Sequence, residues 1–86
     1  MAQFEKILQK TMSGVSDSNI RFSDLCNILE ALGFILRTKG GHFIYYKDGI
    51  EEIINLQPLG NKAKDYQVRQ VRNIILKYKL GGKPNV

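Results

Sequence analysis

Two glycine-bearing reversal points in the middle of the chain, Gly40-Gly41 and Asp48-Gly49, constrain the fold more than any other feature. Gly-Gly tolerates positive φ at both central positions of a two-residue hairpin turn, because no Cβ is present to clash. The runs beside these points are rich in β-branched and aromatic residues, so each reversal joins strand to strand. Strands are expected over 34–39, 42–47 and 52–57 in antiparallel order, with Pro58 and Gly60 closing the third. Outside this stretch the apolar residues recur at helical spacing instead. Phe4, Ile7, Leu8 and Met12 form one stripe over 2–12, and Leu25, Ile28, Leu29 and Leu32 form another over 23–32. Ser23 is expected to cap the second helix and Gly33 to end it in a left-handed conformation. A last helix is expected over 65–78, with Asp65 as its N-cap and Val68, Val71, Ile75 and Tyr78 on its apolar face.

Helix, helix, a three-stranded meander and a helix make an α+β domain. The economical packing is a three-stranded antiparallel sheet with helices on one face and the other face open to solvent. With 86 residues there is room for one domain and a modest core. The compact unit spans 22–80, preceded by an N-terminal helix and loop over 1–21 and followed by a flexible tail over 81–86. Apolar content of 43% and charged content of 24% argue against intrinsic disorder. No apolar run reaches the roughly 18–20 residues that cross a bilayer. Glu5, Lys6 and Lys10 interrupt the N-terminal stretch, which does not suit a signal peptide, so a cytoplasmic location is expected. The single Cys26 lies among Leu25, Ile28 and Leu29 and reads as a packing residue. One cysteine and one histidine cannot supply a zinc site, so neither a metal nor another cofactor is expected.

Thirteen Lys and Arg against eight Asp and Glu give a net charge of +5. The excess is concentrated late: Lys62, Lys64, Arg69, Arg72, Lys77, Lys79 and Lys83 stand against Asp65 alone. Such a segment attracts polyanions, nucleic acid above all, and it equally describes a solvated helix face.

His42 is the one histidine, and it leaves the Gly40-Gly41 turn at the start of a strand. RNA cleavage needs a base for the 2′-hydroxyl, an acid for the leaving oxygen and positive charge near the phosphate, and imidazole can fill either proton role. Lys39 and Arg37 precede the turn closely enough to help hold a phosphate, and Gly40 and Gly41 let backbone amides approach an anion. Taken alone, a histidine beside a hairpin reads first as an ordinary surface residue. Glu51 and Glu52, on opposite faces of a strand, suit neither an acid–base pair nor a metal. The turn also lacks the Gly-Lys-Ser/Thr pattern of a nucleotide loop. If His42 faces the open side, Ile44 and Tyr46 follow it while Phe43 and Tyr45 enter the core. Both sets are apolar enough to be buried. Tyr45 and Tyr46 could stack on bases, although aromatic strand residues more often serve packing.

From Phe22 to Leu80 the order of features resembles the HicA toxin family. Ser-Asp-Leu-Cys-Asn-Ile-Leu-Glu-Ala-Leu-Gly-Phe (23–34) is similar to its first helix and the aromatic exit. Arg-Thr-Lys-Gly-Gly-His-Phe-Ile-Tyr (37–45) is similar to its signature of Arg, Lys-Gly-Ser-His and a strand, and Gln-Val-Arg-Gln-Val-Arg-Asn-Ile-Ile (67–75) to its closing helix. The resemblance implies a double-stranded-RNA-binding-like α-β-β-β-α fold and a ribosome-independent endoribonuclease acting on mRNA. It implies a HicB antitoxin as partner and the catalytic histidine at His42. One position departs: Gly41 stands where the family commonly has Ser, which bears on how strongly the turn holds phosphate.

On this reading Lys39, Lys62, Lys64, Arg69 and Arg72, with Arg37 and the turn glycines, contact phosphate. Lys39 or water takes the proton role complementary to His42. The competing readings are a non-catalytic RNA-binding module of the same fold and a protein-interaction domain whose positive face docks an acidic partner.

Overall fold

A computed structural model of the chain describes residues 2–80. Its elements are helix α1 (Ala2–Ser13), a single 3-10 turn (Asp17–Asn19), α2 (Phe22–Ala31), strands β1 (Ile35–Lys39), β2 (His42–Tyr46) and β3 (Ile54–Leu56), and α3 (Asp65–Tyr78). The tail expected over 81–86 lies outside the described residues. The architecture is α+β, with β2 central in an antiparallel sheet of order β1-β2-β3.

The first reversal is the expected two-residue turn, with φ of 56° at Gly40 and 84° at Gly41. It sets Lys39 directly opposite His42, and pairs Arg37 with Ile44 and Leu36 with Tyr45. On the other side of β2, Ile44 pairs with Asn55 and Tyr45 with Ile54. Because strand side chains alternate, this register divides the sheet cleanly. Tyr45, Ile54 and Leu56 are fully buried and share one core with Leu25, Ile28 and Leu29 of α2 and Val68, Val71 and Ile75 of α3. The helices therefore cover that face. Each such aliphatic side chain, removed from water, stabilises the fold by about 1.5–3 kcal/mol relative to remaining exposed. At the turn end, the Phe43 ring meets the Phe22 ring edge-on, with centroids 5.0 Å apart.

Several termini differ from expectation for identifiable reasons. Helix α2 starts one residue early, and Arg21 rather than Ser23 is its N-cap. The Phe22 amide donates to the Asn61 carbonyl at 3.0 Å, so a neighbouring segment does the work a capping hydroxyl would do. Gly33, at φ 95°, ends the helix as expected. The Gly33 amide donates to the Glu30 carbonyl and the Phe34 amide to that of Leu29, which closes a Schellman motif. Phe34 is consequently turned into the core rather than opening β1. In α3, Lys64 is the N-cap and Asp65 the first helical residue. The Lys64 amide donates to Oε1 of the buried Gln67 at 3.4 Å.

Strand β3 begins at Ile54, so Glu51 and Glu52 are not strand residues. Glu52 is drawn to α3, where it accepts hydrogen bonds from Lys77 Nζ at 2.8 Å and the Tyr78 hydroxyl at 2.7 Å. Helix α1, read from the sequence as an addition to the compact unit, packs on α2 and α3. Thr11 is fully buried there, and Phe4, Ile7, Leu8 and Met12 lie against the common core.

Candidate active site at the hairpin turn

The covered face of the sheet decides what the open face presents. With Tyr45 inward, His42 and Ile44 point away from the helices, and the pairing adds Lys39, Arg37 and Asn55 to the same side. Lys39, Gly40, His42, Ile44 and Asn55 line a shallow open depression of about 340 Å³. His42 is half-buried at its edge, and its Nδ1 lies 3.0 Å from Asn55 Oδ1. The depression thus combines an imidazole, a primary ammonium one cross-strand pair away, and a neutral amide in contact with the ring.

The stacking role considered for Tyr45 is excluded. The ring is in the core, and its hydroxyl donates to Glu30 Oε2 at 2.8 Å. Burial, and then hydrogen bonding with Cys26 and Glu30, raises the Tyr45 hydroxyl far above its ordinary value. Cys26 is buried and free. Its thiol is pushed up chiefly by that burial, which keeps it protonated and unreactive. Tyr46 lies on the open face, half-exposed.

Each of the later cations has its own neighbours. Lys62 Nζ donates to Asn19 Oδ1 at 2.7 Å, and Lys64 Nζ sits 6.0 Å from the centre of the Tyr66 ring. Both line a second depression, of about 380 Å³, at the start of α3. Backbone pairing of Arg21 with Lys62, and the Phe22–Phe43 contact, bring that segment to the same end of the molecule as the turn. Arg69 is paired with Asp65 one helical turn earlier, at 3.5 Å and in solvent.

Arg72 is different again. Its guanidinium grips both oxygens of Asp17, at 2.7 and 3.1 Å, and donates to the Thr11 carbonyl at 3.2 Å. With only 16% of its side chain exposed, it ties α3 to the segment after α1, whereas the sequence suggests a phosphate contact. The hydrogen bond from Arg72 is the main reason the Asp17 carboxyl lies below its ordinary value.

Asn55 is the site residue that sequence reasoning overlooked. A signal existed, since it is the one polar side chain in Ile53-Ile54-Asn55-Leu56, and its neighbours Ile54 and Leu56 both face the core. At Gly41 an added Cβ would meet nothing within 4 Å, but the positive φ disfavours any L side chain. Glycine therefore suits this turn better than serine would.

Comparison of the chain with protein-family models, with curated proteins and with solved structures finds no match. Among the described residues no helix is long and apolar enough to cross a membrane, and no three His, Cys, Asp or Glu side chains gather as a metal site would require.

Proposed function

We propose that this protein is an RNA-cleaving toxin of the HicA type, acting on mRNA in the cytoplasm and held in check by a HicB-type antitoxin. Its α-β-β-β-α portion, α2 to α3, is read as a double-stranded-RNA-binding-like fold with α1 added in front. The observation that carries this reading is the placement of the only histidine on the open side of the sheet, directly across a Gly-Gly turn from Lys39.

In the proposed reaction His42 removes the proton of a ribose 2′-hydroxyl. The oxygen attacks the adjacent phosphorus, a 2′-O–P bond forms and the P–O5′ bond breaks. The departing oxygen takes a proton from Lys39 or from water, leaving a 2′,3′-cyclic phosphate. Arg37 and Lys39 hold the phosphate electrostatically, and the turn glycines allow close backbone approach. An antitoxin would act most simply by covering this face with acidic groups.

Incubating the purified protein and its His42→Ala variant with an end-labelled transcript tests the reading. Cleavage by the first and not by the second supports it. Equal cleavage by both removes His42 from the chemistry. Binding without cleavage by either leaves the non-catalytic RNA-binding module.

A further inference from the structure

We propose that Asn55 is a positioning residue that fixes the tautomer of His42, so that Nε2 is the nitrogen that exchanges protons with RNA. This rests on the reading of His42 as the acid–base group. Asn55 acts through the ring and need not touch substrate.

An imidazole can act as a base only through the nitrogen that carries no hydrogen. Free neutral imidazole side chains favour the tautomer with hydrogen on Nε2, which would offer Nδ1 instead. Here Nδ1 faces Asn55 Oδ1 at 3.0 Å. A carbonyl oxygen can only accept, so with Oδ1 rather than the amide NH2 turned to the ring, the hydrogen sits on Nδ1 and the Nε2 lone pair is free. The same hydrogen bond survives when Nε2 gains a proton, since Nδ1 donates in both charge states. The ring is therefore held in one orientation through both halves of a proton-transfer cycle.

The placement of Asn55 is rigid for a reason visible in the fold. It sits between Ile54 and Leu56, both fully buried, so β3 cannot rotate without exposing core. It pairs across the sheet with Ile44, which puts His42 two residues along β2 on the same face, within reach of an amide. Asparagine also differs from a carboxylate here: it orients the ring without adding negative charge beside a phosphate.

The chain has one histidine, so histidine-specific ¹⁵N labelling reports His42 alone. The experiment records its ring nitrogens in the wild type, Asn55→Ala and Asn55→Asp proteins, together with kcat and KM for a labelled oligoribonucleotide across pH. The neutral wild-type ring is expected with hydrogen on Nδ1. Asn55→Ala should shift it towards the Nε2–H form and lower kcat by roughly 10–100-fold, the usual scale for removing an orienting partner, with KM little changed. Asn55→Asp keeps an acceptor and should restore the Nδ1–H form. It should also move the acidic limb of the pH–rate profile upward, because the new carboxylate favours the protonated ring. A wild-type ring with hydrogen on Nε2 would overturn the inference, as would an Asn55→Ala protein with unchanged tautomer and kcat. If His42→Ala cuts RNA as well as wild type, the reading of the site fails and the catalytic role of Asn55 with it. The ring spectra then still report the contact separately.

Discussion

The cations of α3 and those of the β1–β2 hairpin look alike in the sequence and are used differently in the fold. Arg69, Arg72 and Lys77 are each matched with an acid, respectively Asp65, Asp17 and Glu52. Two of these acids come from other elements, so the pairs brace α3 against the segment after α1 and the approach to β3. Arg37 and Lys39 stand on the open sheet face beside His42 and enter no ion pair among the described residues. Charge density along a chain locates neither role. What matters is whether tertiary structure supplies a counter-ion, because a paired cation must give up its partner before it can serve a phosphate.

Removing one cation-bearing or catalytic side chain from each region should have opposite effects. His42→Ala should lower RNA cleavage by about 10²–10⁴-fold while the melting temperature stays near wild type. Arg72→Ala should do the reverse, costing about 1–3 kcal/mol of stability through the lost charged hydrogen bonds, with RNA affinity of the folded protein retained. Denaturant melts and cleavage rates on the same preparations decide it. An Arg72→Ala protein of full stability but poor RNA binding would erase the distinction.

Gly41→Ser probes the turn itself. The side chain would have space, but the backbone would resist it, so a loss of about 1–2 kcal/mol in stability is expected. Unchanged stability would mean that the turn relaxes to another shape.

Salt dependence gives a finer reading. For single-stranded RNA, Lys39→Ala and Arg37→Ala should each reduce the slope of log K against log salt by about 0.7, one phosphate contact apiece. Arg69→Ala should reduce it less, since Asp65 already neutralises it. Equal slopes for all three variants would put the α3 cations back on the binding surface.

The smallest effect concerns acid. The Glu52 carboxyl is held down at about 2 by hydrogen bonds from Lys77 and then Tyr78. Its ionised form therefore favours the folded chain, fully so above the ordinary value of 4.5, and this contribution is lost as pH falls towards 2. Glu52→Gln should flatten the dependence of melting temperature on pH within that window and leave RNA binding at neutral pH unaltered. A wild-type slope in the Gln variant would show that other carboxylates dominate acid unfolding.

The elements that could be read from the sequence are those whose signals are local. Gly40-Gly41 demands positive φ whatever surrounds it, and Gly33 ends α2 through bonds that reach back only to Leu29 and Glu30. The inward face of β2 was undecided because Phe43, Ile44, Tyr45 and Tyr46 are all apolar enough for burial. Only packing against α2 settles that Tyr45 goes in. The pairing of Arg72 is illegible for a similar reason, as its partner lies 55 residues away on an unrelated segment. The hydrogen bond from His42 to Asn55 also depends on β3 lying beside β2 in one particular register.

The two-residue length of the first turn has a genetic consequence. A strand presents its side chains alternately, so pairing partners displaced by one position exchange the two faces of the sheet. An in-frame gain or loss of a single codon at Gly40-Gly41 leaves every side chain of the hairpin intact. It nevertheless sets the hydrophobic demand on Tyr45 against the register that places Lys39 across from His42. A change in the length of this turn therefore acts on the whole hairpin, whereas a point substitution acts at one position.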